Sequence, residues 1–180
     1  MGGPATIDGR AQRGTDNFLH AEMVIDGVRW PTCEHYFQAV KFLGTEPGAA
    51  RHLEKIRQVQ SGGGAWGLGQ SRNFKLRPDW EASKAAAMYR AVSTKYAQHE
   101  SLAEELRSTT GRISAAPSTS NWQVLNSAVL ERVRHDLRIQ AGMPSVLSEA
   151  ELSTVMRLTV LPEGVPPLVV AAFGCTEVQR

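Results

Sequence analysis

Trp30-Pro31-Thr32-Cys33-Glu34-His35-Tyr36-Phe37-Gln38-Ala39-Val40-Lys41-Phe42 is the stretch around which the rest of the chain is organised. Proline suits a first helical turn, and Thr32 or Cys33 can precede the regular part, so the spacing predicts a helix from about Pro31 to Phe42. At about 100° per residue, Glu34, Gln38 and Lys41 lie within about 60° of one another as one polar stripe, with Tyr36, Val40 and Leu43 opposite. The period alone gives an ordinary amphipathic helix with a solvated polar face. Against that stand His35, Phe37 and Phe42, which flank the stripe. A carboxylate and an amine hemmed in by rings lose part of their hydration, and catalytic groups acquire usable pKa values in this way.

Upstream, Met23-Val24-Ile25, Asp26-Gly27 and Val28-Arg29-Trp30 read as a hairpin that delivers the chain to this helix, because Asp-Gly suits the type I′ turn. Residues 1 to about 15 show no period and read as a mobile leader. Downstream, a helix runs from about Ala49 to Gln60, with Leu53 and Ile56 facing inward. The glycine-rich stretch from Ser61 to Gly69 meets neither nucleotide fingerprint and reads as a flexible loop between helices. Arg72, Lys75 and Arg77 follow it, and basic side chains beside such a loop can hold a phosphate or diphosphate.

Pro78-Asp79-Trp80-Glu81 opens a long helix to about Ala97, with acids in its first turn as the helix dipole prefers. Ser101 with Glu104 reads as a capping box, and residues 113–120 as loop. A second long helix spans about Asn121 to Ile139, with Leu125, Val129, Val133 and Leu137 at helical spacing and Gly142 as its stop. Ser148 to about Met156 reads as a short helix, and Leu158–Leu161 and Leu168–Ala171 as strands.

The 180 residues suit one domain that buries about two-thirds of its unfolded surface. A formal charge of +2 is too small to argue for nucleic acid by itself. Two cysteines, Cys33 and Cys175, argue against a disulfide framework and suit a reducing compartment. No apolar run reaches the length of a membrane span, so a cytoplasmic protein with no membrane partner is expected. The five histidines are scattered and neither cysteine has a ligand at zinc spacing, so no metal and no cofactor are expected. No Gly-x-Ser-x-Gly elbow supports a serine hydrolase.

Trp-Pro-Thr-x-Glu-His-Tyr-Phe-Gln-Ala-x-Lys-Phe resembles the signature of the NADAR family of YbiA-like N-glycosidases. The likeness runs from about Asn17 to about Leu137 and includes Asn17-Phe18, Leu76-Arg77-Pro78-Asp79-Trp80-Glu81, and Leu130 with Val133-Arg134. It implies a mainly α fold, a single compact helical domain with a small β-hairpin component. The leader would then be residues 1–15, the family domain 16–143, and residues 144–180 an extension packed on the same domain.

The resemblance also implies cleavage of the bond between ribose C1′ and an exocyclic amine. The substrate would be a phosphorylated ribosylamino-pyrimidine of the riboflavin pathway, or an ADP-ribosyl adduct of guanine in nucleic acid. By position, Glu34, Lys41 and Trp80 are its catalytic residues, with Phe18, Tyr36, Gln38, Arg72 and Trp122 expected around the substrate. The last third departs from the family pattern. An Asp normally stands three residues before a Trp-Gly pair, whereas here Thr119 and Gln123 occupy the Asp and Gly positions around Trp122. Between Glu105 and Glu131 the chain has no carboxylate, so none from that region can serve a two-carboxylate mechanism. The alternative reading is a non-catalytic nucleotide or ADP-ribose binding module.

Overall fold

Thr32 sets the start of the central helix. Its hydroxyl accepts from the His35 backbone N–H at 3.3 Å, so α1 runs Cys33–Val40 and Pro31 lies just outside. The computed structural model describes residues 2–46, 48–119, 121–165 and 168. Before α1 come two antiparallel hairpins, β1 (Ala5–Ile7) with β2 (Arg10–Gln12) and β3 (Met23–Ile25) with β4 (Val28–Trp30). After it follow α2 (Ala49–Gln58), α3 (Gly62–Leu68), α4 (Trp80–Gln98), α5 (Glu100–Arg107), α6 (Trp122–Gln140) and α7 (Glu149–Thr159). The fold is mainly α with a small β component, as the sequence implies.

The β3–β4 turn has the expected form: Asp26 and Gly27 both take positive φ, 53° and 77°, and Met23 pairs with Trp30. Residues 5–15 are not a leader outside the fold. Ala5 and Ile7 are buried in the core, and Thr6 exchanges backbone hydrogen bonds with Ser114 at 2.8 and 3.0 Å. Three residues per strand are too few for a visible alternation, which is why the sequence shows no period there.

All eight residues of α1 are buried, so the expected solvated polar face is absent. Helices α2, α3 and α4 pack around it, and His35, Glu34 and Gln38 make hydrogen bonds inside the fold. His35 Nδ1 meets the Thr32 hydroxyl at 2.8 Å and its Nε2 meets the Val59 carbonyl oxygen at 2.8 Å. That carbonyl can only accept, so Nε2 carries the proton and the imidazole is a neutral tie between α1 and the end of α2. Burial lowers its pKa, consistent with that neutral state.

The glycine-rich stretch is not a flexible loop but α3, capped by Ser61, whose hydroxyl accepts from the Gly64 N–H at 3.1 Å. Its glycines permit close approach. A Cβ on Gly62 would lie 2.8 Å from the Phe18 Cα, and one on Gly69, just past the helix, 1.9 Å from Gln38 Oε1. Composition suggests mobility here, while the actual use is contact at distances a side chain forbids.

Helices α4 and α6 form the other packed layer, joined by α5 and α7. Lys95 of α4 is fully buried. Its ammonium donates to the carbonyl oxygens of Gly14 at 2.6 Å and Asp16 at 3.3 Å, which stitches α4 to the turn after β2. The expected Ser101 capping box is absent, since α5 begins at Glu100 with His99 before it and no side-chain cap. Leu158 continues α7 to Thr159 rather than opening a strand, because Ser148 and Glu151 close a capping box that starts a helix of eleven residues. The second expected strand lies outside the described residues except for Leu168, whose carbonyl oxygen accepts from Tyr36 Oη at 3.2 Å and Arg90 at 2.8 Å. No helix among the described residues is long and apolar enough to cross a membrane.

Candidate functional site

The start points of α4 and α6 and the C-terminal end of α1 converge on one cleft of about 470 Å3. Phe37, Gln38 and Lys41 line it from α1 and its C-cap, Trp66 and Gln70 from α3 and the turn after it, Trp80, Glu81 and Lys84 from α4, and Thr119, Asn121 and Trp122 from the entry to α6. Both long helices therefore turn their positive ends toward the same space, and the first turn of α6 holds no acid to neutralise it. A larger groove of about 780 Å3 lies between α6 and α7, but its Glu131 and Arg134 are joined at 2.5 Å.

Lys41 lines the cleft from the C-cap of α1. Its Nζ lies 5.6 Å from the centre of the Phe37 ring and 5.9 Å from that of Trp80, and 3.5 Å from the Gly69 carbonyl oxygen. Phe37 in turn packs on Trp80 at 5.0 Å and edge-on against Trp122 at 4.8 Å. Burial among these rings pulls the lysine from 10.5 down to about 8, against the opposing effect of the Glu34 carboxylate, with the Arg72 charge adding a smaller downward push. The backbone N–H of Arg77 donates to the Lys41 carbonyl oxygen at 2.8 Å, fixing the end of α1 next to the start of α4.

Glu34 lies one layer deeper than the stripe geometry suggests. It is fully buried, and Gln38 stands between it and the cleft, donating from Nε2 to Glu34 Oε1 at 2.6 Å. The first turn of α1 suits its negative charge. Gln38 Oε1, although buried, has no hydrogen-bond partner among the described residues.

Of the residues singled out from sequence, Lys41, Gln38, Trp80 and Trp122 meet in the cleft, Glu34 backs it, and Arg72 stands exposed at charge-sensing distance from Lys41. Tyr36 and Phe18 do not line it. Tyr36 points into the core, edge-on to Trp30 at 5.4 Å with its hydroxyl on Leu168, and Phe18 packs against Gly62 behind α3. Arg77 is buried and grips Asp79 with two hydrogen bonds of 2.6 and 2.7 Å, which makes it a structural clamp rather than a phosphate holder.

Trp66, Lys84 and Glu81 were not singled out from sequence. Lys84 sits one turn after Trp80 and so shares its face, a spacing that points to it. It pairs with Glu81 at 2.6 Å and lies 5.9 Å from the centre of the Trp122 ring. Trp66 was hidden by the loop reading of α3.

Comparison with known proteins agrees with this architecture. The NADAR domain model matches residues 10–138. The chain is 41% identical to N-glycosidase YbiA of Escherichia coli over 86 residues, which is 48% of this chain and 51% of that protein. It is 32% identical over 108 residues to an N-glycosidase of Nostoc punctiforme, covering 59% of this chain and 68% of that one. It is 36% identical over 104 residues to the chloroplastic riboflavin biosynthesis protein PYRR of Zea mays, covering 54% of this chain and 17% of that one. The NMR structure of the E. coli protein YbiA matches with a TM-score of 0.57 at 29% identity, over 72% of this chain and 80% of that one. The chain spans about half the length of the first curated relatives it matches.

Proposed function

Because the chain belongs to the NADAR family, we propose that it is an N-glycosidase that cleaves the bond between ribose C1′ and an exocyclic amine. Lys41 carries this reading: an amine held near pKa 8 by aromatic walls is neutral often enough at physiological pH to attack carbon. A ribosylamine opens to an imine at C1′. Addition of Lys41 Nζ there and departure of the base amine leave a lysine-bound imine, which water returns to free amine and sugar aldehyde. Glu34 moves the proton that the departing nitrogen needs, and its negative charge steadies the cationic imine. Since Gln38 screens Glu34, that transfer requires the Gln38 amide to swing aside.

The finer assignment is a phosphorylated ribosylamino-pyrimidine or an ADP-ribosyl-guanine adduct. Lys84 in the cleft wall and the acid-free first turn of α6 give an anion somewhere to sit, and the Arg72 charge acts on Lys41 from nearby. The riboflavin biosynthesis name of the maize relative favours the pyrimidine arm. A second reading, a binding module without catalysis, draws on Thr119, which lines the cleft where the family pattern has a carboxylate.

Borohydride added during turnover tests the covalent step. The expected result is a stable adduct on the peptide containing Lys41, found by mass spectrometry. Product formation with no adduct, or full activity in Lys41→Arg, overturns it. Absence of free base from either substrate class leaves the binding reading.

A further inference from the structure

Four aromatic rings stand at the cleft, and three of them are spent on one another. Phe37, Trp80 and Trp122 are 1%, 5% and 8% exposed, so their faces are already covered. Trp66 is different. It lines the same cleft from α3 yet is 42% exposed. A covered tryptophan removes roughly 150–250 Å2 from water, so an uncovered one forgoes that stabilisation. A lone exposed apolar side chain is ordinary on a convex surface and carries no message there. Here the indole faces a concave, partly cationic space, and its backbone is fixed. Gln70 Nε2 donates to the Trp66 carbonyl oxygen at 3.1 Å, and the glycines on either side seat α3 against Phe18 and Gln38.

A leaving group that is a planar nitrogen heterocycle needs a flat apolar surface for its face and water or polar groups for its edges. An indole at a cleft rim offers both. We propose that Trp66 is the platform on which the base of the substrate stacks, while the sugar carbon lies toward Lys41. This rests on the N-glycosidase reading for the nature of the leaving group. Because every base has a π-face, such a platform sets the requirement for an aromatic base and tolerates changes of its substituents. Lys84 and Arg72 then take the sugar's phosphate, so the two ends of the substrate are held by different chemistry.

Equilibrium binding of guanosine 5′-monophosphate, cytidine 5′-monophosphate and ribose 5-phosphate, which share the sugar phosphate, isolates the base. The unaltered protein is expected to prefer both nucleotides over the sugar phosphate. Trp66→Ala is expected to weaken the nucleotides by about 5- to 150-fold and ribose 5-phosphate less than twofold. Trp66→Phe is expected to restore most of the loss, which a purely structural role for the indole does not predict. Equal weakening of all three ligands, no weakening, or no preference in the unaltered protein overturns the platform. Release of free base is read separately. If no glycoside is cleaved but the base preference still depends on Trp66, the catalytic reading fails and the platform stands.

Discussion

Helices α1 and α3 both line the cleft and are built by opposite means. α1 is a buried helix, so its geometry is fixed by packing and internal hydrogen bonds. α3 is poor in helix-forming residues, with glycine at four of its seven positions, and its indole is left in solvent. Burial on the first wall changes chemical character, pulling Lys41 to about 8. Missing side chains on the second wall allow approach, with Gly69 pressed on Gln38. A reactive group needs the first kind of wall, and a substrate that must enter and leave is better served by the second.

The contrast is sharpened most by removing the carboxylate of α1. Glu34→Gln keeps size and hydrogen bonding to Gln38, and a fall of about 10² to 10⁴ in kcat with unchanged thermal unfolding is expected. Near-normal turnover would break the idea that the buried wall carries the chemistry.

Next in size is a paired test of α3. Gly62→Ala drives a methyl group into the Phe18 backbone and is expected to cost about 1–3 kcal/mol in urea unfolding. Gly67→Ala meets nothing within 4 Å and is expected to stabilise by about 0.5–1 kcal/mol, because the unfolded chain loses freedom. Equal effects at the two positions would show that the glycines serve propensity rather than contact.

The smallest effect is on pH dependence. If neutral Lys41 is the nucleophile, kcat/KM rises about tenfold per pH unit below pH 8 and levels above it. Stability is linked to the same group. The folded protein binds the Lys41 proton less tightly than the unfolded chain does. Between about 8 and the ordinary value of 10.5, the unfolded state holds more protons and stability rises with pH. Below pH 8 the penalty for a buried ammonium is present in full. Lys41→Met should abolish turnover and flatten the stability profile between about 8 and 10.5, and an unchanged stability profile in that variant would assign it to another group.

Where the sequence was informative, it was because several signals coincided. The Trp30–Phe42 stretch combines a cap, a proline and a stripe, and the Asp-Gly turn has one favoured geometry. These features survive in the structure within a residue or two. The depth of Glu34 was not legible, since helical spacing gives a direction around an axis and not how many layers cover it. Glycine was misread for a related reason: the same composition serves flexibility or close approach, and only the neighbours Phe18 and Gln38 decide which. Trp66 was lost with that misreading. The short strands at the N-terminus and the partners of Lys95 depend on residues far away in sequence, where local pattern carries no information.

The hydrogen bonds from Lys95 to the carbonyl oxygens of Gly14 and Asp16 also bear on how the chain is made. Gly14 and Lys95 are 81 positions apart, and at about 5–20 residues per second a ribosome needs roughly 4 to 16 s to cover that interval. During that time the first turn after β2 has no cation for its carbonyl groups, and α1 lacks the helix that closes over it. A nascent chain paused before residue 95 therefore exposes a polar cavity and a half-covered apolar helix together.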